Sequence, residues 1–506
     1  MAINHAEDVL GENGAVILDI EDVGDKGAVA GLKLAKDGHT VLQPQPTDDP
    51  NDPLNWSSFK KHMILYIVAL SAFAGDFGSG AGIPCIVPQG KEWNMHPNLV
   101  NHSGNLNVIF LGIGGLFWIP FVYFWGRAPV LFWTTLSGAL FTLGCTLTTD
   151  FTTFYGLRAM MGFTLTACQT IGLSFIKDMF FFHENARKIG IWASIFLSAP
   201  YCGPLFGNFI IARTGEWRYV FWLVFAVCCI DLVLIVLFAD ETWYNRTLRV
   251  QPPRGSRIMR VLGIWQIQNH NGNFLSVFRS VSRLTETLFK PVVIPTMLYY
   301  TMSFMWAVGI NITTSILFET PQEMGGYGFS SMAVGFLYFT PVVSVAVGET
   351  FGHFFNDFIA ARYIHRHKGT FLPEVRLWTN YIAVVFMIPG LILVGQGLHL
   401  HLHWGTLVVG WGMYVFGVMT ASVATTAYLL DSYNSASGEV AGWLNFARVV
   451  GGFSVGYFQM PWGLKVGYDK SFGTQAAVVG AALIVLVCVQ RFGPAMRAKG
   501  GAVSFN

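Results

Sequence analysis

Asp76, Arg158, Asp231, Glu349 and Arg448 all stand inside long apolar runs of this sequence. A charge there costs several kcal/mol and needs a reason. Asp76 lies about 14 residues into the first run, roughly 21 Å from one boundary and about 9 Å from the other at ~1.5 Å per residue. Arg158 lies about six residues into the fourth run, again roughly 9 Å from that second boundary. The matched depths allow an Asp76–Arg158 interaction, direct or through water. A proton arriving at Asp76 would then compete with Arg158 or with a cationic substrate, which is the minimal machinery of proton exchange. The plainer alternative is an ion pair that only fixes packing. Glu349, His353 and Asp357 fall at i, i+4 and i+8 and share one helix face. A gate, a proton path and simple hydrogen bonding at a helix end are all open there, and a metal would need ligands from elsewhere. Arg448 sits near the middle of its run with Asn445 almost one turn before it. That pair suits a substrate or a carboxylate on a neighbouring helix. Gln169 is a further polar candidate.

The elements that must position these residues follow from composition. Of 506 residues, 53% are hydrophobic and 12% charged, against roughly 25% charge in soluble domains. Mean hydropathy is +0.48. Only a lipid-facing surface accommodates so much apolar side chain. Apolar runs of about 20 residues, the length that crosses a bilayer core, occur at 62–87, 105–125, 129–149, 152–178, 188–211 and 217–239, then at 291–317, 331–356, 377–396, 405–430, 440–462 and 473–491. The expected fold class is an all-α polytopic membrane protein of twelve transmembrane helices in two six-helix halves, 60–239 and 291–493. Residues 1–59 are polar and acid-rich and are read as a disordered tail without a signal peptide. The basic break at 240–290 carries short amphipathic stretches expected to lie against the membrane surface. Residues 494–506 are read as a second tail. Arg and Lys concentrate in loops on the side of the termini, which places both termini in the cytoplasm by the positive-inside rule. On that orientation Asn101-His102-Ser103 is an outside sequon. The seven cysteines lie mostly in apolar runs and are read as reduced. The net charge of +2 argues against a nucleic-acid partner.

Three segments resemble signatures of the major facilitator superfamily. Trp125-Gly126-Arg127-Ala128-Pro129-Val130 is similar to its inter-helix loop motif, and Arg158-Ala159-Met160-Met161-Gly162 to its R-x-x-x-G motif. Ala199 to Asn208, with Gly203, Pro204 and Gly207, resembles the motif of the antiporter branch. Asn356-Asp357 with Arg366 and Pro373-Glu374-Val375-Arg376 resembles a repeat of the loop motif. Asp431-Ser432-Tyr433, Gly438-Glu439-Val440 and Asn445 to Arg448 resemble fungal twelve-span drug:H+ antiporters. The loop motif departs from the pattern at Tyr123, where an acid is usual, and at Ala128.

The resemblance implies alternating access, with the first and fourth spans lining a central cavity and Asp231 on a span that supports the scaffold. It places Arg127, Gly203, Pro204, Gly207, Asp357 and Arg366 at gates and hinges, although small residues and Pro204 also serve plain tight packing. It turns the aromatic seventh and tenth spans toward the cavity, making Tyr300, Phe304, Trp306, Trp411 and Tyr414 candidates for amphipathic or cationic substrates. Proton coupling falls to Asp76, Arg158 and Glu349. The expected function is a proton-coupled exporter of small organic molecules. The alternatives are an uptake carrier for cations such as polyamines, and a membrane sensor that binds without turnover. No nucleotide loop, zinc helix or nucleophile elbow is present, so neither a cofactor, a metal nor an enzyme is expected. The implied partners are a small-molecule substrate, protons and lipid around a monomer. The plasma membrane is the default location, with vacuolar and peroxisomal membranes as alternatives.

Overall fold

The computed structural model describes residues 33–34, 42–246, 248, 250–270, 273–319, 327–367, 371–501 and 503. Twelve long helices dominate the described residues. The first six are α1 (Ser58–Ala81), α2 (Pro97–Trp125), α3 (Arg127–Leu147), α4 (Phe151–Met179, interrupted at Thr166), α5 (Phe182–Thr214) and α6 (Arg218–Phe238). The second six are α7 (Val293–Glu319), α8 (Ser331–Arg366, interrupted at Tyr338), α9 (Trp378–His399), α10 (Trp404–Ser432), α11 (Ser437–Val466) and α12 (Tyr468–Gly500). Eleven of these are apolar enough to be recognised as membrane spans by composition alone. The twelfth, α11, has 30 residues, about 45 Å at ~1.5 Å per residue, so it is long enough to cross. Its apolarity is diluted by buried Glu439, Asn445, Arg448 and Gln459, which turn inward.

Local chemistry sets the helix starts. The Ser57 hydroxyl caps α1 by accepting from Lys60 N, and Asp150 caps α4 at Thr153 N. The start of α3 has a carboxylate cap from a distance: Glu241 accepts from Arg127 N at 3.3 Å and Ala128 N at 3.1 Å. A negative group is favoured at that positive helix end. Gly126 makes the turn before it at φ 91°, a backbone region that suits glycine.

Each half packs its own six helices. The halves meet chiefly along α2 with α11 and α5 with α8. These two seams are equivalent under a shift of six helices, as expected for two similar halves. Large apolar side chains on α3, α6, α9 and α12, such as Leu140, Ile230, Val385 and Ile484, are exposed and form the lipid-facing surface.

The boundaries differ from the sequence reading where polar residues are buried. The second run was expected from 105, yet α2 begins at Pro97, because Asn101, Ser103, Asn105 and Asn107 face inward and are under 5% exposed. Residues 42–57 are packed rather than disordered: Asp52 is fully buried and accepts from Arg246 at 2.9 Å. Helix α12 runs to Gly500, past the expected end at 493, held by Arg497 on Glu374 at 2.8 Å. In the central segment, Arg257–Leu262 and Ile264–Gln268 expose Ile258, Ile264 and Ile267, whereas Val277–Leu288 tucks Arg283 and Leu284 against α2 and α11.

Candidate functional site

Between the halves lies a cavity of about 790 Å³ of empty volume, mouth included. It runs from Asp76, Arg158 and Arg448 toward Gln89 and Asn101, near the ends of α1 and α2 opposite the termini. Its apolar wall includes Val108, Leu111, Leu197, Phe304, Val308 and Met419.

At the inner end Arg448 Nη1 stands 2.9 Å from Asp76 Oδ2, and both side chains are almost wholly buried. The carboxylate oxygen is not on a hydrogen-bond line, so the contact is ionic without a directed hydrogen bond. Directed bonds hold the other side of the guanidinium: Nη2 donates to Asn445 Oδ1 at 2.8 Å and to Gln169 Oε1 at 3.1 Å. Gln169 in turn reaches the Ala72 carbonyl of α1 at 3.4 Å. Phe196 and Phe304 flank the guanidinium at 5.6 and 5.9 Å. Asp76 belongs to the first half and Arg448 to the second, so this buried pair spans the interface.

The expected Asp76–Arg158 pair does not form. Arg158 instead donates to the carbonyls of Gly78 at 2.8 Å and Ser79 at 3.0 Å, at the C-terminal end of α1 where the i to i−4 ladder runs out. It passes under Gly82, whose missing side chain leaves the room, and its ring partner is Phe221 at 5.4 Å. Arg158 thus reaches α1 within three residues of Asp76, but similar depth does not fix the direction in which a side chain leaves its helix.

Several residues named from sequence stand outside the cavity. Gln169 and Asn445 act from behind Arg448. Tyr300 hydrogen-bonds Ser422 at 2.8 Å, and Tyr414 donates to the Ser303 carbonyl at 2.7 Å. Trp306 packs edge-on to Phe458, and Trp411 edge-on to Tyr338 and Tyr201. These rings fill the core of the second half. Glu349 is buried with His353 Nε2 at 3.6 Å, away from the cavity lining, and His353 packs on Gly190 of α5. Asp231 accepts from Ser71 Oγ at 2.6 Å and ties α6 to α1. The cavity also has contributors that the sequence reading missed: Gln89, Asn101, Tyr201 and Asn311. Asn101 is 1% exposed, so the sequon is not accessible.

The residues expected at gates and hinges have specific partners. Gly203 lets α5 approach α1 so closely that a Cβ would stand 2.5 Å from the Phe77 carbonyl oxygen, and Gly207 sits against Pro84 and Val220. Pro204 has no N–H for the Pro200 carbonyl, and that carbonyl accepts from Asn311 Nδ2 of the other half at 3.0 Å. Arg127 meets Asp178 of α4 at 3.0 Å. Tyr123 reaches Glu439 of α11 at 3.3 Å, and Glu439 also receives Arg283 Nε at 2.7 Å. This cluster closes the interface on the side of the termini. In the second half Arg376, rather than Arg366, takes the equivalent place. It bonds Asp431 and approaches Asp357 at 3.4 Å, while Arg366 is exposed at the end of α8.

The sequence profile of the Major Facilitator Superfamily matches residues 65–456. An uncharacterised MFS-type transporter of Schizosaccharomyces pombe is 25% identical, with 79% of this chain and 78% of the relative aligned. The efflux pump radE of Floropilus chiversii is 23% identical over 76% of this chain and 71% of its own. The MFS antiporter QDR3 of Candida albicans is 20% identical over 86% and 78%. The proton:xylose symporter XylE superposes with a TM-score of 0.60 at 14% identity, covering 86% of this chain and 96% of that one.

Proposed function

This chain belongs to the Major Facilitator Superfamily, and from that premise we propose that it is a proton-coupled secondary transporter that exports small amphipathic organic molecules by alternating access. The observation that carries the reading is the buried Asp76–Arg448 pair at the end of the cavity, joining α1 of one half to α11 of the other. Protonating Asp76 removes the charge that holds Arg448 across the interface. One proton thus changes both the cavity's charge and the grip between the halves. Export is favoured by relatives named as an efflux pump and an antiporter. On the orientation that the loop charges favour, with the termini and the Glu439 seal in the cytoplasm, the Gln89–Asn101 end of the cavity lies toward the outside.

Flux through purified protein in proteoliposomes tests this, with a pH gradient, a lumenal pH dye and a panel of amphipathic drugs. A compound that dissipates the gradient with wild type and not with Asp76→Asn supports coupling through Asp76. Equal dissipation by both removes Asp76 from the coupling step. Binding without flux for every compound would favour a sensor instead.

A further inference from the structure

The charged side chains that line the cavity are two guanidiniums, Arg158 and Arg448, and one carboxylate, Asp76. The fixed charge is therefore +1 with Asp76 ionised and +2 with it protonated. A cationic substrate would be repelled in both states. The polar groups left over include donors of Arg448, Arg158, Gln89 and Asn101, and the acceptors Asp76 Oδ2, Asn101 Oδ1 and Asn311 Oδ1. Among the described residues, Arg448 makes directed bonds only from Nη2, so Nη1 and Nε have none. Arg158 Nε and Gln89 Nε2 are buried without partners, as are both amide atoms of Asn101. All four side chains are at least 95% buried and line the cavity. A planar guanidinium with a spare edge matches a carboxylate, which can accept two parallel N–H bonds.

Resting on the proton-coupled reading above, we infer that the cavity takes a small amphipathic organic monocarboxylate, seated on Arg448 in the place of Asp76, and that the proton which neutralises Asp76 travels with it. The two carboxylates compete for one guanidinium. Asp76 gives up its ionic contact, takes a proton on its carboxylate and leaves Arg448 to the substrate, whose apolar body lies along Leu197, Phe304 and Met419. The charge in the cavity is then +1 before loading and +1 after it, so no net charge is buried. The other groups around Asp76 do not alter this balance. Tyr201 of α5 is neutral. Asp231 of α6 is held by Ser71, five residues and so about 140° around α1 from Asp76. Glu349 of α8 is held beside His353, outside the cavity lining. Proton and anion move in the same direction, so the carrier releases an accumulated acid outward as an electroneutral pair, in place of the proton exchange expected from sequence.

Calorimetric titration of the purified full-length protein tests this with two probes of one shape and opposite charge, 1-naphthoate and 1-naphthylmethylammonium. Each is titrated in phosphate and in Tris, whose different ionisation heats count the protons exchanged. The expected result is naphthoate binding at least ten-fold tighter, with uptake of up to one proton. Its affinity should strengthen up to about ten-fold per pH unit lowered. Asp76→Asn should bind naphthoate more tightly and without proton uptake, and Arg448→Gln should lose at least ten-fold. Because Asp76→Asn is expected to gain binding, loss of fold cannot mimic the result. Tighter binding of the ammonium, with proton release, overturns the carboxylate assignment and leaves proton coupling standing. Failure of naphthoate to bind, or weaker binding to Asp76→Asn, also overturns the assignment. Binding of either probe with no proton exchanged overturns the coupled reading itself.

Discussion

Glu439→Gln should open the interface on the side of the termini. Glu439 is fully buried and accepts from Arg283 Nε at 2.7 Å, and Arg283 is itself 4% exposed. Breaking a buried pair by removing one charge costs about 3–5 kcal/mol. Glutamine keeps an acceptor for Arg283 and for Tyr123, so the lower end, about 3 kcal/mol, is appropriate. That energy is roughly a 150-fold change in an equilibrium. If the sealed form outweighs the open one by about 100 to 1, the variant becomes roughly 60% open. Spin labels at positions 187 and 362, exposed near the ends of α5 and α8 in opposite halves, would read this as a second, longer distance. Cys488 is the exposed native thiol and would be replaced first. A distance distribution identical to wild type, in a protein that still folds, would refute the assignment of Glu439 as the seal.

Gly114→Ala should destabilise the first half by about 1–3 kcal/mol, because its Cβ would fall within contact distance of the Phe163 backbone carbonyl of α4; a lower melting temperature checks it. Arg376→Ala should lower stability by removing the partner of Asp431 and Asp357, whereas exposed Arg366→Ala should stay within about 0.5 kcal/mol of wild type; parallel thermal melts separate them. Burial pushes the Asp240 carboxyl up, but hydrogen bonds from Arg260 and Lys60 outweigh it and hold the group below the usual carboxylate range. A lowered value stabilises above the unfolded carboxylate's pKa of about 4 and is lost as pH falls through the folded value. Hydrogen exchange across 254–268, corrected for its intrinsic pH dependence, should therefore accelerate only below about pH 4.

The fold was legible because membrane spans announce themselves by length and apolarity, and only α11 lay near the limit. What makes α11 less apolar is a set of buried polar side chains with contacts in distant segments: Glu439 with Arg283 and Tyr123, Asn445 with Thr166, and Arg448 with Asp76 and Gln169. The site was legible in its residue types and less so in its pairings. Asp76, Arg158 and Arg448 stood out because intramembrane charges are rare. Pairing depends on helix rotation, and there Arg158 found the carbonyls at the C-terminal end of α1 while Arg448 faced Asp76. Of the aromatics of α7 and α10, Phe304 lines the cavity; Tyr300, Trp306, Trp411 and Tyr414 fill the core of the second half instead, because ring content does not show which face of a helix is turned to the cavity. Asn101 and Gln89 were hidden by the opposite bias: polar residues next to an apolar run read as loop, yet here they continue the cavity wall. Arg283 lay in a segment read as a surface amphipath, and nothing local in the sequence ties it to a residue 156 positions away.

Asp76 is the group proposed to take up the transported proton. Infrared difference spectroscopy on an acid jump reports it directly, since a newly protonated buried carboxyl adds its own C=O stretching band. One such band is expected in wild type and is missing in Asp76→Asn, with bands from Glu349 and Asp231 unchanged between the two proteins. An unchanged spectrum in Asp76→Asn would contradict that role.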